Sequence, residues 1–326
     1  MKFNRLKYTV TEKERDIEFG RPVPTSLLKF YANSEYSQEA VMEHYLYLTH
    51  ISQFNDAYEA SEYLLDLRKL DQTTYEQWYR DKGLTAHPTY TEDQANDFAM
   101  FRKLYLSIMA WIGSVSFTTR ENVCNTLMWA HYATDKGFIV DFDAHKLLHS
   151  VATGKQFDGF VFPINYVKKL RPFPLYDDRY GGDWGALLYL IATKHKDWKY
   201  EDEWRLSCYP LNGKFTVPET LVTKEVPEIE RKLIYPADCA KVIILGEKFF
   251  NPTNVDGDFY RAQETTLRYK LKKDQKFVNF LYVHFNDSLY MSGAWNKKDK
   301  VVRSIQQIRL EKEAEDIFTI VPISRR

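Results

Sequence analysis

Apolar and polar residues alternate along this chain in short bursts, separated by longer stretches with helical spacing. Leu27 to Tyr31 reads as a short strand and Tyr45 to His50, rich in aromatic residues, as a second. Between them Ser37 to Glu43 predicts a helix with Ser37 as its N-cap. From Ala60 to Ile112 the pattern is helical. Tyr63, Leu64, Leu67 and Leu70 recur on one face, and Phe98 to Trp111 forms another stripe beyond Gly83 and Pro88. Ser114 to Thr118 returns to strand character, Asn125 to Ala133 predicts a helix, and Asp135-Lys136-Gly137 makes the turn into a strand over Phe138 to Phe142.

Further on, Val161 to Val167 predicts a strand and Asp183 caps a helix over Trp184 to Thr193. Lys199 to Cys208 and Lys241 to Leu245 read as strands. The tail adds strand candidates at Phe277 to Phe285 and Ile317 to Ile323, with a helix-like or mixed stretch between them. Short strands interspersed with helices, without regular alternation, argue for an α+β fold rather than a doubly wound one. The organisation expected is a charged lead-in over 1–26, a main domain over 27–250 with a helical insertion at 60–112, and a C-terminal extension over 251–326 whose strands pack on the core.

Composition changes this picture little. At 326 residues the chain can bury a sizeable core. Aromatic residues at 16% favour a sheet-containing fold. Basic and acidic residues balance at 45 each, which argues against a chain-wide polyanion-binding surface. Cys124, Cys208 and Cys239 are far apart, without metal-ligand spacing, and point to a reducing, cytoplasmic setting. The apolar runs Ala186 to Ala192 and Val242 to Leu245 are too short to span a bilayer, so a soluble protein with no membrane partner is expected.

The chemistry concentrates in Tyr200-Glu201-Asp202-Glu203-Trp204-Arg205. On a strand, Glu201, Glu203 and Arg205 share one face. Two carboxylates and a guanidinium side by side make either an exposed ion ladder or a paired-carboxylate site able to stabilise positive charge growing on a sugar carbon. Met128-Trp129-Ala130-His131-Tyr132-Ala133 places Trp129 and Tyr132 or Ala133 on one helix side, and His131 reads as a structural hydrogen-bonding group or a site residue. Asn55-Asp56, Ser114 and Ser116 are weak signals in isolation. His145 and His149 are spaced i, i+4, but no third ligand accompanies them, so no metal site is expected. Gly-x-Gly-x-x-Gly, Walker and His-Glu-x-x-His patterns are missing. Two basic clusters, Arg268 to Lys276 and Lys297 to Arg303, read as solvated stripes or as a grip for single-stranded nucleic acid.

Taken in order, Leu28 to Tyr31, Tyr47 to His50 with Phe54 to Glu59, Ser116-Phe117-Thr118, Met128 to Ala133, Gly137-Phe138, Tyr200 to Arg205 and Ile243 to Gly246 resemble a bacterial family known as domain of unknown function 2971. That family looks related to the ADP-ribosyltransferase fold, with members resembling toxins of phage-defence systems. The resemblance implies a split β core and cleavage of NAD at the nicotinamide–ribose bond. ADP-ribose then passes to a macromolecular acceptor such as RNA, and an antitoxin protein serves as partner. Carried over, it implies Glu203 as catalytic with Glu201 accessory. Lys29 or Tyr31, Thr49 with Ser116 as rival, His131, Tyr132 and Arg205 fall at the cofactor. Lys29 stands where an Arg or His is expected and lacks Arg's bidentate reach to phosphate. The competing expectations are a non-catalytic nucleotide- or partner-sensing module and a metal-dependent nuclease toxin.

Overall fold

The computed structural model describes residues 2–7, 9–10, 17–18, 20–50, 53–56, 58–66, 112–174, 182–211, 231–250, 267–270, 276–297, 300–314 and 317–323. Most of the segment expected as a helical insertion, 67–111, lies outside the described residues. Its described beginning is a 3-10 turn at Glu62–Leu64 followed by a short strand at Leu65–Asp66.

The elements that frame the site are β1 (Ser26–Tyr31), α1 (Glu35–Met42), β2 (Thr49–His50), β3 (Gly113–Phe117), β4 (Phe138–Asp143) and α2 (Ala144–Thr153). They continue with β5 (Phe157–Pro163), α3 (Gly182–Ala192), β6 (Trp204–Pro210), β7 (Ala240–Leu245) and β8 (Leu267–Lys270). The last are α4 (Lys276–His284), β9 (Leu289–Lys297), β10 (Lys300–Ala314) and β11 (Ile317–Pro322). A seven-stranded sheet runs β8-β11-β10-β9-β7-β4-β1 and a four-stranded sheet β5-β6-β3-β2. Pairing is antiparallel throughout both, except where β9 runs parallel to β7. The molecule is α+β, as the irregular order of elements predicts.

β4 shows why the chain folds this way. Phe138, Val140 and Phe142 project into the main core, which takes side chains from both sheets and from α2 and α4. Ile139 points the opposite way, against Leu28, Trp129, Ala133 and Ile244. A third cluster surrounds α3, whose residues from Ala186 to Ala192 are all buried. A helix apolar on every side belongs inside, and α3 lies under the four-stranded sheet through Phe162 and Ile112.

Several elements differ from their sequence reading, each for a local reason. The α1 N-cap is Ser34, whose hydroxyl accepts from the Ser37 amide at 3.2 Å, so the helix starts earlier than expected. Tyr45 to His50 is two strands in two sheets. Tyr45–Tyr47 pairs with Lys232–Ile234 and Thr49–His50 with β3, the crossing being made where the Leu48 amide donates to the Arg231 carbonyl at 2.8 Å. Val161 to Val167 is likewise divided at Ile164, whose amide donates to the Glu203 carbonyl at 2.9 Å. Asp183 falls inside α3 rather than at its cap. Phe277 to Phe285 is helical: Phe277, Val278 and Leu281 bury one face at i, i+1, i+4. The stretch over 300–314 is the long strand β10.

The two sheets approach at one point. Leu28 of β1 and Thr118, just past β3, exchange two main-chain hydrogen bonds of 2.8 Å as an isolated bridge. Beyond that bridge the strands diverge, β1 into the larger sheet and β3 into the smaller.

Candidate functional site

A cavity of about 320 Å³ opens beside this junction. Leu28, Lys29 and Phe30 of β1 line one side, and Ser114 to Thr118 with Thr49 line the other. Phe54, Asn55 and Glu59 come from the segment after β2, and Met128 and Tyr132 from the turn before β4. Lys194, Glu201, Glu203 and Arg205 form the base.

The two glutamates reach the cavity by a route other than a continuous strand. Lys196–Glu201 is a 3-10 helix ended by Asp202 in the left-handed region (φ 39°), and β6 begins only at Trp204. The turn sends the Asp202 side chain outward to Arg21 at 3.3 Å and to Thr119 at 3.1 Å. Glu201 and Glu203 turn inward. Backbone contacts fix both: the Thr118 hydroxyl donates to the Glu201 carbonyl at 2.5 Å, Asn122 Nδ2 donates to the same oxygen at 2.6 Å, and the Glu203 amide donates to the Tyr166 hydroxyl at 2.9 Å.

Glu59, Lys194, Glu201, Glu203 and Arg205 are all buried and form one ion cluster. Lys194 Nζ lies 2.9 Å from Glu201 Oε2, 2.7 Å from Glu203 Oε2 and 3.4 Å from Glu59 Oε2. Arg205 donates to Glu203 Oε1 from Nε at 3.0 Å and from Nη2 at 2.6 Å, and from Nη1 to the Ile191 carbonyl at 2.6 Å. Its Nη2 also pairs with Glu59 Oε1, and its guanidinium stacks 4.3 Å from the Phe54 ring centroid. The Ser116 hydroxyl donates to Glu203 Oε1 at 2.5 Å. The Tyr132 hydroxyl donates to Glu201 Oε1 and accepts from Asn55 Nδ2 at 3.4 Å.

This arrangement separates the carboxylates electrostatically. Burial opposes ionisation of Glu203, but the charges of Arg205 and Lys194 outweigh it and hold the carboxyl down to about 2. For Glu201 and Glu59 burial prevails over the nearby cations, and the Glu203 charge adds to it, so both are raised. Burial also lowers Lys29 to about 8, partly offset by Glu203. Lys29 lines the cavity, with its Nζ 5.1 Å from the Tyr31 ring centroid.

Tyr132 is delivered by a π-turn. Asn125 caps a short helix, its Oδ1 accepting from the Leu127 amide at 3.0 Å, and the helix widens into π geometry over Trp129–Ala133. Trp129 anchors the turn through Nε1 donating to the Val123 carbonyl at 2.8 Å and an edge contact with Phe30. The wider turn puts Trp129 and Ala133 in the core and Tyr132 over the cavity. Thr134 and Asp135 follow at φ 50° and 57°, and Gly137 lets β4 close on β1. A Cβ at Gly137 would lie 2.0 Å from the Tyr31 carbonyl oxygen.

Of the residues expected at the site, Lys29, Thr49, Ser116, Tyr132, Glu201, Glu203 and Arg205 line this cavity. Tyr31 stacks on Phe138 in the main core, and His131 is exposed, beside Tyr132 and Tyr200. Lys194, Glu59 and Tyr166 belong to the site without having been singled out. Glu59 ends the Phe54 to Glu59 segment. Lys194 follows the stretch Ala186 to Ala192 after Thr193, and its place beside that stretch is its only trace in the sequence. Among the described residues no group of three or more His, Cys, Asp or Glu side chains is arranged to hold a metal ion. Among them, too, no helix is long and apolar enough to cross a membrane.

Fold and site define an α+β protein with two diverging sheets and a cavity over a buried carboxylate–cation cluster. A family model described as protein of unknown function (DUF2971) matches residues 128–206, which run from the π-turn into β6. No curated protein and no solved structure matches the chain.

Proposed function

We propose that the cavity binds NAD and that the protein is an ADP-ribosyltransferase. It would act as a toxin or phage-defence effector on a macromolecular acceptor, RNA foremost, under the control of an antitoxin protein. The observation that carries this reading is the convergence of Glu201, Glu203, Ser116, Tyr132 and Lys29 on one cavity where two sheets diverge. Its volume of about 320 Å³ sits at the lower end of ligand-binding clefts, roughly 300–1,000 Å³. That suits the nicotinamide-ribose half of a dinucleotide. Lys29 supplies the cation for the pyrophosphate, and Tyr132 an aromatic face.

The reaction breaks the bond between ribose C1 and the nicotinamide nitrogen, with the electron pair leaving on nicotinamide. The acceptor nucleophile forms the new bond to C1 and gives up its proton to a carboxylate. An oxocarbenium-like state lies between, which a preorganised carboxylate stabilises more than it stabilises the ground state.

A second reading, binding without turnover, is favoured by one observation: Lys194 and Arg205 already neutralise the carboxylates. The same two cations pair with the carboxylates that a nuclease would need for a divalent metal.

Incubation with NAD labelled on the adenine side, followed by fractionation of a cell lysate, tests the proposal. Nicotinamide release with label in RNA or protein is expected, and chelators should leave it intact. Tight NAD binding without nicotinamide release would establish the sensing module instead.

A further inference from the structure

We propose that Glu201 is the carboxylate that touches the substrate, and that Glu203 is a positioning residue locked beneath it. This rests on the transferase reading for its chemistry but on lone-pair capacity for its geometry. An ionised carboxylate offers about four acceptor positions. Glu203 receives four donors: Ser116 Oγ, Arg205 Nε and Arg205 Nη2 oversubscribe Oε1, and Lys194 Nζ takes one position on Oε2. A ribose hydroxyl arriving in the cavity finds Oε1 crowded by three donors and at most one position on Oε2, beside Lys194. Glu201 receives two donors, Tyr132 on Oε1 and Lys194 on Oε2, and keeps room for a further donor on each oxygen.

The surroundings agree with this division. The groups that face Glu201 are Tyr132 from the π-turn, Lys194 from the strand after α3, and Glu203 from its own segment, with Tyr166 and Tyr200 nearby. Burial and the Glu203 charge raise its carboxyl, whereas the Tyr132 and Lys194 hydrogen bonds lower it. A carboxylate poised in this way can take the proton of an acceptor nucleophile, whereas one held down to about 2, as Glu203 is, cannot. Lys194 joins the two carboxylates and keeps them adjacent without their sharing a proton.

The test compares Glu201→Gln, Glu203→Gln and Tyr132→Phe by thermal midpoint, nicotinamide release and the carboxyl 13C resonance of Glu201. Glu201→Gln is expected to leave the midpoint near wild type and cut release on the order of a hundredfold. Glu203→Gln turns an amide NH2 toward Lys194 or Arg205, so it should lower the midpoint by roughly 5 °C or more. A Glu203→Gln protein that does not fold gives the same answer.

Two titrations go beyond stability. Tyr132→Phe should move the Glu201 titration, and the acid limb of release with it, to higher pH. A folded Glu203→Gln should move both to lower pH. Wild-type protein that releases no nicotinamide, yet shows the stability order and the 13C shifts, overturns the transferase reading and leaves this assignment standing. Glu201→Gln with undiminished release, or with a midpoint loss as large as that of Glu203→Gln, overturns the assignment itself.

Discussion

Lys194 holds three buried carboxylates at once, which makes it the residue whose loss should be felt most. Removing one partner from a buried ion pair costs about 3–5 kcal/mol, because the charge left behind has neither water nor a counter-ion. Lys194→Met is therefore expected to lose stability on that scale in denaturant titration, and the double change Lys194→Met with Glu201→Gln to recover part of it. No loss in the single variant would mean that water reaches the cluster. The cluster also dictates an acid response. Glu203, held down to about 2, contributes stability fully above its unfolded value of about 4.3, and that contribution drains as the pH falls. Glu59 and Glu201 have the opposite sign: their share is complete below the unfolded value and is lost as pH climbs through their raised values. The midpoint gap between wild type and Glu203→Gln should shrink between about pH 5 and pH 3, and a constant gap would contradict the pairing. Little of this was legible in the sequence. Glu59 and Lys194 meet over a long separation, and nothing local to either residue names its partner. Glu201, Glu203 and Arg205 were legible as a set, although the left-handed turn at Asp202, not strand alternation, is what brings them together.

At the scale of elements, the π-turn does the most specific positioning. It depends on β1 and β4 closing tightly behind it, which Gly137 permits. A side chain there would strike main-chain oxygens of Tyr31 and Ala133, which cannot rotate away. Gly137→Ala should cost at least about 1–3 kcal/mol, the usual range for overpacking, and it should blunt any activity that uses Tyr132. An unfolding midpoint equal to wild type would show that the backbone yields. β1 and β4 were legible as short runs of apolar and aromatic residues, because both of their faces are buried. α4 was not, because Phe277, Val278, Phe280 and Val283 are strand-forming by composition and only the packed face reveals the helical period. β10 was missed for the converse reason: its burial is partial and its polar residues mask the pattern.

For the whole molecule, the C-terminal strands are part of the central sheet. Leu289, Ile308, Leu310, Phe318 and Ile320 enter the same core as β1 and β4, and Arg303 ties β10 to Asp135 at 2.6 Å beside the π-turn. Each buried apolar side chain contributes about 1.5–3 kcal/mol, so losing all of them removes a sum comparable with the roughly 5–15 kcal/mol that holds a whole domain together. A chain ending at Asp287 is therefore expected to be insoluble or molten. A cooperative unfolding transition from that truncation would count against a shared core. Arg303 also leaves one fewer free cation in the second basic cluster, and the side chains of Arg268 to Lys273 lie outside the described residues.

The bridge between Leu28 and Thr118 has one more consequence. Two main-chain bonds sit at the apex of the wedge formed by the diverging sheets, so any guest that forces the walls apart levers directly on them. Protection of those two amides against deuterium therefore works as a strain gauge for the cavity. It should fall when a ligand too wide for the wedge enters and rise when one clasps both walls, and it can be read before anyone knows what the ligand is.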